Sequence, residues 1–167
     1  MLCGLGFDAQ VAHAFAADPN RGLNTYIKKS VQHFFSATAY PFTLHFRDAM
    51  LDTEAFFISI ANSNQFGNNF TIAPQASLMD GLLDIVVVGK RTKLNLLVQT
   101  LRQVRGFNRL HTEPLTDARG SVLYFQTAAL TIDNEGGAPL HIDGDPFPTA
   151  DHFDIRILKH CFELIFP

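Results

Sequence analysis

The chain has 167 residues, 47% hydrophobic and 17% charged, a size and balance suited to one compact domain and not to a disordered chain. No apolar run reaches the roughly 18 to 20 uncharged residues of a membrane-spanning helix, and the chain is expected to be soluble and without a targeting signal. Thirteen Lys plus Arg against sixteen Asp plus Glu give a net charge of -3, which argues against a general nucleic-acid binder. In chain order, DAQVAHAFAA from Asp8 to Ala17 predicts a helix, broken by DPNRG at 18–22. A second helix is predicted from Leu23 to Ser36, where Tyr26, Ile27, Val31, Phe34 and Phe35 recur at helical spacing. FTLHF at 42–46 and EAFFISIAN at 54–62 predict strands, and NSNQFGNN at 62–69 is a polar turn leading into a short FTIAP strand stopped by Pro74. LLDIVVVG at 82–89 predicts a buried strand, and residues 92–105 a helix with Leu94, Leu97, Val98, Leu101 and Val104 on one face. Strands are then expected at 121–126, 129–134, 139–143, 153–158 and 161–166.

Many strands at short intervals with few helices predict an antiparallel β-sandwich or barrel with peripheral helices, an α+β chain that is mainly β. Sixteen Phe, three Tyr and no Trp suggest a core filled largely by Phe. Cys3 and Cys161 stand near opposite ends, outside any CxxC or Cys/His spacing, and read as reduced, buried thiols of a cytosolic protein.

Several short patterns carry candidate chemistry. Gly4-Leu5-Gly6-Phe7-Asp8-Ala9 matches the GxGxxA form of the dinucleotide fingerprint, but only three residues precede it, so a full first strand is not expected, and no acid follows about twenty residues on. A strand-to-helix turn capped by Asp8 is the better expectation. The seven histidines show no HxxxH or HExxH spacing and are read as structural, and no GxSxG elbow marks a hydrolase. Ser77-Leu78-Met79-Asp80-Gly81-Leu82 sets a carboxylate and turned-in carbonyls ahead of a buried strand, where a hard cation such as magnesium could bind; a plain Asp-Gly turn is the alternative. His141-Ile142-Asp143-Gly144-Asp145 is a second Asp-Gly turn, read either as a hairpin or as a general base beside an electrostatic partner. The stretch 90–109 carries Lys90, Arg91, Lys93, Arg102, Arg105 and Arg109 without an acid, which suits either a solvated helix face or peripheral contact with an anionic membrane.

Taken together, GLGFDAQV, RGLNTYIKK, IAPQASLMDGLLDIVVV, HIDGDPF and FDIRILKHCFELIFP resemble, in order, the C-terminal half of the diacylglycerol kinase and sphingosine kinase-like lipid kinases. The resemblance implies a β-sandwich domain that packs on an N-terminal nucleotide-binding domain bearing a GGDGT loop. Between the two, the γ-phosphate of ATP would pass to a lipid hydroxyl, as in phospholipid biosynthesis. It further implies a magnesium ion held by Asp80 with the backbone carbonyls of Ser77 and Leu82, and Asp145 as the base that takes the hydroxyl proton, with Asp143 beside it. Two features depart from the family pattern: Asp145 replaces its final Glu, and Gly67-Asn68-Asn69 replaces a glycine-rich turn. Nothing resembling GGDGT is present, so residues 1–167 are expected to be a single domain that is inactive in isolation and cytoplasmic or peripheral at a membrane. A lipid-binding or regulatory module without catalysis is the alternative, the NAD kinase group is a more distant one, and a homo-oligomer is compatible with either.

Overall fold

The computed structural model describes residues 2–19, 22–47, 49–63, 73, 75–90, 122–159 and 161. The expected FTIAP strand, the helix at 92–105, the Gly67-Asn68-Asn69 turn and the strand at 161–166 lie outside those residues except for Ala73 and Cys161. The described elements are β1 (Leu2–Gly6), α1 (Phe7–Ala16), α2 (Leu23–Ser36), β2 (Tyr40–Phe46), β3 (Ala49–Ala61), β4 (Leu83–Gly89), β5 (Val122–Thr127), β6 (Ala129–Asp133), β7 (Leu140–Ile142), β8 (Asp145–Phe147) and β9 (His152–Arg156). All strand pairings among the described residues are antiparallel and join one curled sheet, as the strand-rich sequence predicts. No described helix is long and apolar enough to cross a membrane.

β3 organises the sheet. Its 13 residues run through two wings: Ala49–Ala55 pair with β2, and Phe57–Ala61 pair with β1 on one side and β4 on the other. One wing continues β8-β7-β1-β3, with β4 and β5 beyond, and the other continues β2-β6-β9. A β-bulge at Phe56 shifts the register against β4, a feature that bends a strand and raises its twist. The bulge carbonyl explains Gly6: at φ 99°, a Cβ there would stand 2.4 Å from the Phe56 oxygen.

The core lies between the wings. Leu5, Ile58, Ile60, Ile85, Val87 and Leu140 from one meet Phe42, Leu44, Leu130 and Ile132 from the other. Burying an Ile or Leu side chain is worth about 1.5–3 kcal/mol, so these aliphatic layers dominate the fold. The opposite face of β3 and β4 is buried too, with Phe57, Ala61, Val86 and Val88 packed around Leu2, Ala37 and Ala73. Two covered faces explain why LDIVVV reads as a continuous run and not an alternation.

Three expectations are corrected. The interior is aliphatic more than aromatic: among the described residues only Phe42, Phe56 and Phe57 are buried phenylalanines, and Phe46 and Phe125 stack at 4.3 Å on its margin. Cys3 is half-buried and Cys161 exposed, so neither thiol is a core group. A first strand exists despite its three-residue lead, because β1 is completed by Leu5 and Gly6 themselves and is held from both sides by β3 and β7.

Candidate active site

The register places both Asp-Gly turns at one end of the sheet. Leu2 pairs with Ala61, Ala61 with Asp84, and Cys3 with Ile142, so the turn after β7 and the loop before β4 leave the sheet on the same side. β1 and β3 lie between them. Three strand spacings put the two turns about 14 Å apart along the sheet edge.

The first turn is a two-residue hairpin. Asp143 at φ 50° and Gly144 at φ 89° connect Ile142 to its cross-strand partner Asp145, the type I′ geometry that Asp-Gly favours. Its position is fixed by the first residue of β1: the Asp143 amide donates to the Leu2 carbonyl at 2.7 Å, and the Leu2 amide donates to Asp143 Oδ1 at 2.7 Å. Asp143 thus acts in the fold through both its backbone and its carboxylate. Asp145 is exposed, and the pleat sets it on the same face as Ile142 and Phe147, themselves 40% and 52% exposed. A carboxylate between two exposed apolar side chains suits a substrate that offers a hydroxyl next to hydrocarbon.

On the opposite face of this hairpin His141 stands beside the exposed Pro146, its cross-strand partner. His141 is fully buried, and its Nδ1 accepts the Gly144 amide at 3.2 Å while its Nε2 lies 3.3 Å from Asp8 Oδ2. Asp8 was expected to cap α1. It is instead the second residue of that helix, its Oδ1 accepting the Ala9 amide at 2.9 Å, and the N-cap is Gly6 with no side-chain cap. Burial pushes the Asp8 carboxyl up, and the hydrogen bond and charge of His141 pull it back. Gly4, paired with His141 across the sheet, makes room for both: a Cβ there would sit 2.0 Å from Asp8 Oδ2 and 2.4 Å from His141 Nε2. The Cys3 thiol is pushed up to about 12, by burial first and then by Asp8 and Asp143, so it is not a thiolate nucleophile.

The second turn is built differently. Ser77 Oγ accepts the Met79 amide at 3.2 Å, and Asp80 Oδ1 accepts the Leu82 amide at 2.9 Å around Gly81 at φ 71°. Behind it the fully buried Asp84 accepts from the Tyr124 hydroxyl and from Gln126 Nε2. Burial raises the Asp84 carboxyl most, the two donors lower it, and nearby Asp80 raises it again. One carboxylate with main-chain carbonyls is the oxygen set that magnesium or calcium takes. Among the described residues no three His, Cys, Asp or Glu stand together at metal distance, so an ion here would depend on the loop carbonyls. Carboxylate and carbonyl oxygens are hard donors, which would suit magnesium or calcium.

No local pattern gives Asp84, Tyr124 or Gln126 a role, and His141 reads from spacing alone as a structural histidine. Asp84 had a signal: it is the one acid inside an otherwise unbroken buried strand. The link between Gly4, Asp8 and His141 had none, because it depends on β1 lying beside β7.

An antiparallel sandwich-like domain with two Asp-Gly turns at one sheet end is the architecture that these elements define. The chain belongs to the family described as the YegS C-terminal NAD kinase beta sandwich-like domain, whose model matches residues 2–154. A protein of Chromohalobacter salexigens named "Probable lipid kinase YegS-like" is 27% identical over 147 residues, covering 87% of this chain and 45% of that protein. One of the same name from Shewanella frigidimarina is 28% identical over 109 residues, covering 65% and 32%. The chain thus spans less than half the length of the curated relatives it matches. Among solved structures, two described as putative diacylglycerol kinases from Bacillus anthracis str. Sterne superpose with TM-scores of 0.61 and 0.62. They are 15% and 17% identical, cover 94% of this chain and 48% and 49% of their own, and establish the shared fold.

Proposed function

We propose that this domain supplies the acceptor side of an ATP-dependent lipid kinase. A nucleotide-binding domain outside residues 1–167 holds the ATP, and the chain in isolation is inactive. The observation that carries the reading is the placement of Asp145, exposed between Ile142 and Phe147, on the same sheet end as the Asp80 loop. Asp145 takes the proton of a lipid hydroxyl as that oxygen forms its bond to the γ-phosphorus and the bond to the ADP oxygen breaks. Asp143 holds the turn against Leu2 and adds negative charge next to the base. Asp80, with the carbonyls of Ser77 and Leu82, would hold the magnesium ion. When bound, the ion supplies charge neutralisation at the phosphates.

A diacylglycerol or a related lipid is the expected acceptor, met at a membrane surface by an otherwise cytoplasmic enzyme. The test is transfer of labelled phosphate from ATP to lipid in mixed micelles by the protein joined to its nucleotide domain. Asp145→Asn should lose about 10²–10⁴-fold in kcat, the usual worth of a general base. Asp145→Glu, which restores the longer side chain found in the family, should keep activity. Full turnover by Asp145→Asn overturns the assignment. The shortened reach of Asp145 supports a second reading, a lipid-binding module without catalysis; it gains if the wild-type protein binds lipid vesicles but transfers no phosphate.

A further inference from the structure

The Asp8–His141 pair lies on the face of the β7–β8 hairpin opposite Asp145, so it does not meet a substrate that Asp145 would meet. Its chemistry is nonetheless directed at the turn. A main-chain amide can only donate, so the Gly144 bond requires a lone pair on His141 Nδ1. A neutral ring then carries its proton on Nε2, and that nitrogen faces Asp8 Oδ2. The second Asp8 oxygen is anchored by the Ala9 amide at the start of α1. Gly4 leaves the space in which carboxylate and ring meet. The start of α1 is therefore connected, through the part-buried Asp8 carboxylate and the buried His141 ring, to the second turn residue of the hairpin, the one before Asp145.

We propose that Asp8 and His141 are positioning residues for Asp145: Asp8 selects the Nε2-protonated tautomer, and the freed Nδ1 lone pair holds the Gly144 amide and so fixes the direction in which Asp145 leaves the turn. The inference rests on the reading of Asp145 as the base. It is separable from that reading, because the tautomer and the Gly144 bond can be observed without turnover.

The kinetic test uses the protein with its nucleotide domain. His141→Gln keeps a donor within reach of Asp8 but offers no acceptor at the Nδ1 position, and His141→Asn places an acceptor there. His141→Gln should lower kcat about 100-fold, the order of loss for a misplacement near 1 Å, with KM for ATP unchanged, and His141→Asn should recover a substantial part. Two structural readouts accompany it. The ¹⁵N resonances of the wild-type ring should show the Nε2-protonated tautomer, and the Gly144 amide should exchange with solvent faster in His141→Gln than in wild type. A wild-type ring protonated on Nδ1, Gly144 exchange unaltered by His141→Gln, or unchanged kcat in an active enzyme each overturns the proposal. If the wild-type protein transfers no phosphate, the kinase reading fails, and the tautomer and exchange results decide on their own whether His141 holds the turn.

Discussion

Gly4→Ala tests the packing at a position where a single methyl group meets the polar atoms of both Asp8 and His141. In a strand interior, Ala is ordinarily the more stable residue by roughly 0.5–1 kcal/mol, because glycine loses more backbone entropy on folding. Here the sign should reverse. The new Cβ would stand 2.0 Å from Asp8 Oδ2 and 2.4 Å from His141 Nε2, both well inside contact distance, so the carboxylate and the ring must separate. Overpacking of this kind costs about 1–3 kcal/mol, and losing a buried hydrogen bond costs about 1–3 kcal/mol more. Against the backbone gain, a net loss of about 3 kcal/mol is expected. For a domain of this size that corresponds to a fall of about 6–12 °C in Tm. Urea unfolding of wild type and variant gives the free-energy difference directly. A double-mutant cycle locates its source: in an Asp8→Ala background the nearer obstacle is gone, so the Gly4→Ala penalty should shrink to about 1 kcal/mol. A Gly4→Ala protein as stable as wild type, or a penalty unchanged by Asp8→Ala, would refute the reasoning.

Two further outcomes concern ionisable groups. Tyr124→Phe removes the hydroxyl that stabilises the buried Asp84 carboxylate and should cost about 1–3 kcal/mol, more above the Asp84 pKa than below it, as read from urea midpoints at acid and alkaline pH. Asp84→Asn should show the opposite trend. A carboxyl whose folded value is raised makes the wild-type fold less stable as pH climbs from 3.8 through that value, and the amide does not titrate, so the variant gains on wild type with rising pH. On the exposed face, His152 is raised chiefly by its hydrogen bond to Asp133, at 2.7 Å. Its contribution should be complete below 6.5 and vanish as pH rises through the raised value, and that of Asp133, which is lowered, should persist above 3.8 and fade only as pH drops through its lowered value. The deficit of His152→Ala relative to wild type should therefore disappear on the alkaline side and shrink in high salt, because both groups are open to solvent.

What was legible in the sequence was what local pattern encodes. LDIVVV declares a buried strand because covered faces on both sides leave no polar alternation to confuse it. Phe7–Ala16 declares a helix by its alanines and by the Asp18-Pro19 stop. β8 was not legible, since three residues with a central proline make no strand signal; the proline is tolerated because β8 ends the sheet. Phenylalanine content misled because number does not decide depth. Phe7 and Phe34 meet edge-to-face where α1 meets α2, and Phe147 is exposed on β8, so several rings serve margins and the space between wings goes to Ile, Leu and Val.

The site shows the same division more sharply. Each Asp-Gly turn could be read as a turn from its own residues, since Asp-Gly suits positive φ at Gly81 and Gly144. That they share one end of the sheet could not, because the Leu2–Ala61, Ala61–Asp84 and Cys3–Ile142 pairings that bring them there join segments up to 139 residues apart. The same pairing gives the glycines of GLGFD two separate duties. Gly6 yields to the Phe56 carbonyl and Gly4 to the Asp8 carboxylate and His141 ring. A fingerprint that resembles a phosphate-binding turn is here the space reserved for a part-buried acid and a buried imidazole. Its test is steric: adding one methyl at Gly4 should disturb the hairpin that carries Asp145, a strand away, before it disturbs any ligand.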